Sequence, residues 1–355
     1  MAALNAQCPD PRRFVRTFLA SAAMLAVAAT GVVLAADPYG LRQKPGALPG
    51  PLMDLNQRYM YPQIARSRLF DAAIFGTSTI RLVDPAELSA KVGMRVANLG
   101  MNAATPWEQL QLARLYLREV SSPRLLVMGI DTTWCEPDAD APGKMTTFRS
   151  FPPWLYDGIA PADLVELANL KSLEIAGRVA LHRVGMMPER IRGDGFEIFT
   201  PPESTYDLAR ARRHIWGGDG TPRVPTSQQP AAAEYRGPLP AIDWLDGFLK
   251  DLPRATRAIL VMPPVHVAVQ AQPGSTRAAE VAACRLRLIT IAQRHGAALA
   301  DFARPSPITR EDASYWDPLH YRLPIAQRLT TTIAAIAQGQ MTGDDAFDLL
   351  APVRR

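Results

Sequence analysis

The residues best suited to chemistry stand far apart in this chain. Gly76-Thr77-Ser78-Thr79 closes a short apolar run, and Trp316-Asp317-Pro318-Leu319-His320-Tyr321 follows about 240 residues later. A serine hydroxyl is a poor nucleophile until a histidine takes its proton, and the histidine needs an anion to orient it. Asp317 and His320 are three apart, a spacing that puts both on one helical face and points them into one cleft. With Ser78 they supply a nucleophile, its general base and an orienting carboxylate. Taken singly, each segment has a plainer reading. Gly-Thr-Ser-Thr is also an ordinary turn with a hydroxyl cap, and Asp before Pro often opens a turn. Their order and placement carry the joint reading.

Placement depends on the elements around them. Residues 70–75 form an apolar run ended by Gly76, the pattern of a buried parallel strand. Similar runs predict strands at 95–99, 124–130, 258–262 and 297–302. Thr105-Pro106-Trp107-Glu108 is a capping box with proline at the first helical position. Leu110, Ala113 and Leu117 follow at helical spacing, which predicts a helix over 106–120, and another is expected over 277–295. Strands alternating with helices imply an α/β fold, a parallel sheet covered on both faces. Ligands in such folds bind beyond the carboxyl ends of the strands. Segments 76–78, 101–105, 131–134 and 263–266 all fall there, so Asp131, Trp134 and His266 join the triad as candidate site-lining residues.

The core is expected to be split, 66–134 and 252–337, around a helical and loop-rich insertion at 135–251. That insertion contains Pro152-Pro153, Pro201-Pro202 and Gly217-Gly218-Asp219-Gly220, with a helical patch near 161–180. The Pro- and Gly-rich stretch 37–65 reads as a tether and 338–355 as a loosely held tail.

Residues 17–36 are uncharged and about as long as a bilayer-spanning helix. Arg12, Arg13 and Arg16 precede them, so the positive-inside rule puts residues 1–16 in the cytoplasm and everything after Asp37 outside. In a bacterium this is a single-pass inner-membrane protein with a periplasmic C-terminal domain. A cleaved secretory signal ending near Val33-Leu34-Ala35 is the competing reading. Cys8 would lie inside, while Cys135 and Cys284 would share the oxidising side, either paired or buried as free thiols.

The net charge of +5 over 355 residues, without a dense Lys/Arg run, argues against a nucleic-acid partner. No metal-ligand spacing or phosphate-binding glycine loop is present, so neither metal nor cofactor is expected. His182, His214 and His295 have no partner pattern. Trp134, Trp154 and Trp316 are candidates to stack on sugar rings or to fill the core.

In four short blocks across 66–134 and 252–335 the chain resembles the SGNH/GDSL hydrolase superfamily, particularly its membrane-anchored bacterial branches related to polysaccharide O-acetyltransferases and acetylesterases. Gly76-Thr77-Ser78-Thr79 resembles the nucleophile block, with Thr77 where the best-known members have Asp. Asn98-Leu99-Gly100-Met101-Asn102-Ala103-Ala104-Thr105 resembles the second block, with Ala103 where the family usually has Gly. Trp316-Asp317-Pro318-Leu319-His320-Tyr321 resembles the last. The resemblance implies a flavodoxin-like three-layer αβα sandwich, with Ser78 as nucleophile, His320 as base and Asp317 as its partner. The N–H groups of Ser78 and Ala103 would form the oxyanion hole.

The remaining block, Val127-Met128-Gly129-Ile130-Asp131, puts Asp where many members have an Asn that donates to the oxyanion. Losing one such donor costs about 3–4 kcal/mol. A charge aimed at the oxyanion would add repulsion of up to about 4 kcal/mol at 4 Å and an effective dielectric near 20. Asp131 must therefore be turned aside, protonated or used to position another group. The implied function is ester hydrolysis or acyl transfer, acetyl being expected, on a carbohydrate or cell-envelope substrate. A catalytically silent scaffold that binds polysaccharide or a membrane partner is the alternative, favoured by Asp131 and opposed by the intact Ser78, Asp317 and His320.

Overall fold

The structure, a computed structural model, describes residues 10–158, 163–222, 233–340 and 343–352. Strands β1 (Ala72–Phe75), β2 (Val96–Asn98), β3 (Leu125–Gly129), β4 (Arg257–Met262) and β5 (Ala298–Asp301) pair in parallel. A further strand, β6 (Asp348–Ala351), runs antiparallel to β5 at the edge, and the order is β2-β1-β3-β4-β5-β6. Successive strand residues face opposite sides. Ala73, Phe75, Leu126, Met128 and Leu260 pack under helices Gln57–Ser67, Pro106–Glu119, Pro240–Lys250 and Thr276–His295. Ala72, Ile74, Leu125, Val127 and Ile259 pack against Pro85–Val92 and Leu323–Ala337. The sheet is buried on both faces, as its near-continuous apolar strands require.

Local chemistry sets the helix ends. Both halves of the Thr105–Glu108 capping box form, and Pro106–Glu119 stops at Val120. Ser275 caps Thr276–His295, and Gly296 ends it in the left-handed conformation at φ 69°.

Three expectations about organisation are corrected. The proposed tether contains helix Gln57–Ser67, in which Gln57, Arg58, Gln63, Arg66 and Ser67 are buried. Its apolar stripe is short (Met60, Tyr61, Ile64 and Ala65) and flanked by polar residues that are buried too, so hydropathy did not reveal it. The core also resumes before residue 252, because parallel strands need a crossover and Pro240–Lys250 is the covering helix between β3 and β4. Residues expected as a tail form β6, where Phe347 stacks on Phe302 with ring centroids 4.6 Å apart.

The rest of the insertion lies against the core. Its helices Leu170–Arg183 and Leu208–Trp216 are linked by loops that return to the core, where the Asp194 carbonyl accepts the Asn98 N–H at 2.8 Å. The start of the helix expected over 161–180 lies outside the described residues.

The apolar helix Pro11–Ala36 is capped by Asp10 and is long and apolar enough to cross a membrane. It begins ahead of the expected span and includes Arg12, Arg13 and Arg16. Only its last turns touch the domain: Val33 and Ala36 are buried, and Arg183 donates to the Ala36 carbonyl at 2.9 Å. Cys135 and Cys284 are disulfide-bonded, with Cα atoms 5.4 Å apart. Cys8 lies outside the described residues.

Candidate active site

Ser78 opens a 3-10 turn, Ser78–Ile80, directly after β1. The chain reverses at Gly76, whose φ is 150°. A Cβ there would lie 2.8 Å from the Ile80 side chain and 3.2 Å from the Gly129 Cα, so only glycine fits. Thr77 caps the turn, and its hydroxyl donates to Asp131 Oδ2 at 2.6 Å.

His320 arrives from the far end of the sheet. Its Nε2 lies 2.9 Å from Ser78 Oγ, and its Nδ1 lies 2.7 Å from Asp317 Oδ2. Asp317 Oδ1 accepts the backbone N–H groups of Leu319 at 2.9 Å and His320 at 3.0 Å. Burial works to raise the Asp317 carboxyl, but the hydrogen bond and charge of His320, with those two N–H groups, hold it below the usual range. The expected helical face is absent: residues 317–320 form a non-helical turn closed by the Tyr315–Tyr321 bridge. Proximity comes from the turn rather than from helical periodicity.

That turn is pinned on three sides. The Tyr321 hydroxyl donates to the Thr79 carbonyl at 2.7 Å, tying the histidine loop to the serine turn. The His266 N–H donates to the Pro318 carbonyl at 2.8 Å. Phe199, from the insertion, meets the His320 ring edge-on at 5.2 Å between centroids.

Ala103 has a φ of 51°, in the left-handed region that glycine reaches most readily. Buried Arg58 supports this turn, donating to the Asn102 carbonyl at 3.1 Å and the Ala103 carbonyl at 3.4 Å. Glu108 pairs with Arg58 through both oxygens, at 2.9 and 2.5 Å. Arg81, also buried, reaches Asn102 Oδ1 at 2.6 Å and Glu197 at 2.5 Å. Among the described residues, neither the Ser78 nor the Ala103 amide is bonded to a protein acceptor.

Asp131 is tied to its neighbours. Its Oδ1 accepts the Thr133 N–H at 3.0 Å and hydroxyl at 2.5 Å, and its Oδ2 holds Thr77. Burial pushes its carboxyl up, against the hydrogen bonds from Thr133 and Thr77 that favour the charge. Its role is to fix the serine turn.

Two candidate lining residues are elsewhere. Trp134 is fully buried in the core beside the Cys135–Cys284 link. His266 is fully buried between Trp216 and Tyr315, whose rings meet it edge-on at 5.1 and 5.3 Å. Its Nδ1 accepts the Ala268 N–H and its Nε2 lies 3.1 Å from Asp312. Burial holds its pKa below the usual histidine value despite Asp312. Trp316 packs on Tyr206 and Trp154 on Tyr39, so these tryptophans serve packing.

A cavity of about 520 Å³ opens beside Ser78, lined by all the strand-end loops and by insertion residues Glu136, Ala139, Lys144, Thr146 and Thr147. Arg58, Arg81 and Phe199 went unread in the sequence because their partners are distant. Glu108 was legible only as a helix cap, and Tyr321 only as the neighbour of His320. Among the described residues no group of His, Cys, Asp and Glu side chains could hold a metal. No family model matches the chain and no curated protein matches it, so the geometry itself carries the functional reading.

Proposed function

We propose that this protein cleaves or transfers an ester acyl group through Ser78. The observation that carries the reading is the hydrogen-bonded chain Ser78 Oγ–His320 Nε2 at 2.9 Å and His320 Nδ1–Asp317 at 2.7 Å, at the mouth of a cavity. Ser78 Oγ bonds to the carbonyl carbon as its proton passes to His320 Nε2. The N–H groups of Ser78 and Ala103 receive the oxyanion. The ester C–O bond then breaks, and His320 gives the proton to the departing alcohol. Water, or a second hydroxyl, repeats the steps in reverse and releases the acyl group.

The strand order 2-1-3-4-5 is one of the common doubly wound orders and supports the flavodoxin-like reading. With the four motif blocks, it supports membership of the SGNH/GDSL superfamily. The capture of Asp131 by Thr77 and Thr133 weakens the argument for a silent scaffold, since this carboxylate has a structural task. The apolar N-terminal helix and the disulfide together support a single-pass inner-membrane protein facing the periplasm. Its substrate would be an acylated carbohydrate or another cell-envelope ester.

The test is labelling with a fluorophosphonate probe. Ser78 should be modified in the full-length protein, and Ser78→Ala and His320→Ala should each abolish labelling and ester turnover, since the two act as a unit. Labelling that persists in Ser78→Ala would reject the reading.

A further inference from the structure

The cavity beside Ser78 has two chemically different ends, and strand order places them. Loops leave the carboxyl edge in the order β2, β1, β3, β4, β5, with Ser78 on the β1 loop. Toward β2 the wall is mixed, with Thr105, Thr146 and Thr147 beside Ala103, Ala104 and Pro106. Thr105 donates to the Met145 carbonyl at 2.6 Å and Arg58 to the Thr147 hydroxyl at 3.2 Å, which fixes this part of the insertion to that side. Toward β4 and β5 the wall is Met262, Pro263, Val265, Val269 and Ala303, joined by Leu319 from the histidine loop. The charged lining residues, Asp131, Glu136 and Lys144, come from the β3 loop and the insertion. From Ser78 the cavity thus runs past the β3 loop to a wholly apolar wall in one direction, and to a mixed wall bearing hydroxyls in the other.

We infer that the apolar end takes the acyl chain, and that this chain is a medium-length alkanoyl group rather than acetyl. The inference rests on the acyl-ester reading of Ser78. The apolar wall of Met262, Pro263, Val265, Val269, Ala303 and Leu319 is more than an acetyl group on Ser78 would cover. Each further methylene that enters this wall strengthens binding by roughly threefold to fourfold. The opposite end, with Thr146 beside the protein-bonded hydroxyls of Thr105 and Thr147, is the more polar and so suits the alcohol. Once the ester C–O bond breaks, the chain stays in the apolar end on Ser78 while the alcohol leaves from the polar end with the proton from His320. The same polar end then admits the water or acceptor hydroxyl.

The experiment uses the full-length protein in detergent and alkyl fluorophosphonates bearing methyl, butyl, hexyl or octyl chains. The rate of Ser78 modification is followed by intact mass. Rates should rise by roughly threefold per methylene before levelling off. Val269→Trp, which shortens the apolar end, should reduce the hexyl-to-methyl ratio at least about tenfold. Leu319→Trp tests the same wall from the histidine loop. Because probe partition into micelles is the same for parent and variants, the change in ratio isolates the cavity. Rates that are flat or fall with chain length, or ratios unmoved by both variants, overturn the inference while leaving Ser78 a nucleophile. Failure of every probe to modify Ser78 overturns the acyl-ester reading and this inference with it.

Discussion

Arg58 and Ala103 are 45 residues apart in the chain, yet the Arg58 guanidinium donates to the Ala103 carbonyl at 3.4 Å. Glu108 holds the same guanidinium through two hydrogen bonds, and Gln57 accepts the neighbouring Asn102 N–H at 3.2 Å. A non-glycine residue in the left-handed region costs about 1–2 kcal/mol. Such a conformation persists only where its surroundings over-determine it, and here a buried ion pair does so. Removing one partner leaves the other charge buried and unpaired, at about 3–5 kcal/mol. The pair that shapes the proposed oxyanion turn therefore cannot be broken singly without a cost to the fold.

Ala103→Gly should relieve the strain at φ 51° and raise the stability by about 0.5–1 kcal/mol, with ester turnover retained. Ala103→Val places a branched side chain in the same conformation and should lose at least about 2 kcal/mol. Denaturant midpoints for the three proteins check the order, which fails if glycine is the least stable.

Asp131 separates stability from charge. Asp131→Ala strips the partner from Thr77 and Thr133 and should cost about 2 kcal/mol, with loss of turnover as the serine turn loosens. Asp131→Asn keeps an acceptor and should lie within about 1 kcal/mol of the parent. The sign of the pH effect follows from the raised carboxyl. A group whose folded pKa is raised contributes stability at low pH and loses it as pH rises through that pKa. The Asn variant should therefore gain on the parent as pH rises from the ordinary Asp value of about 3.9, read from melting temperatures. A gap that widens against Asn with rising pH would contradict this.

His266 gives the opposite sign. Its folded pKa is lowered, so its contribution is present above the ordinary histidine value of about 6.5 and lost as pH falls through the folded pKa. Asp312 and Glu311 oppose this without reversing it. Acidification below the ordinary histidine range should soften the histidine loop, because the His266 ring packs edge-on against Tyr315, which bridges to Tyr321 across that loop. Hydrogen exchange at 315–321, compared between the parent and His266→Gln, should show acid loosening only in the parent.

Reduction of the Cys135–Cys284 disulfide, or Cys284→Ser, should cost about 3–5 kcal/mol, since the closed loop spans 149 residues. Cys135 ends the turn that Asp131 caps, so turnover should become more heat-sensitive as well. Equal melting temperatures with and without reductant would show that the link carries no stability.

Short-range patterns were readable in the sequence because local chemistry causes them. The apolar runs became β1 to β5 within a residue or two of the expected bounds. The Thr105–Glu108 box opened its helix, and the strand-end rule brought Ser78 to one edge of the sheet. Ser78, Asp317 and His320 were legible as residue types in order, but their contact was not. The turn that joins them is non-helical, and Tyr321, bonded to Thr79, and the distant His266 and Phe199 hold it. The tertiary structure alone decided that Trp134 and His266 are buried, that Asp131 serves Thr77, and that Cys135 meets Cys284. It also placed polar Gln57–Ser67 in the core and completed the sheet with β6. Each of these depends on a partner many residues away, and a buried polar group satisfied by such a partner leaves no periodic trace in its own segment.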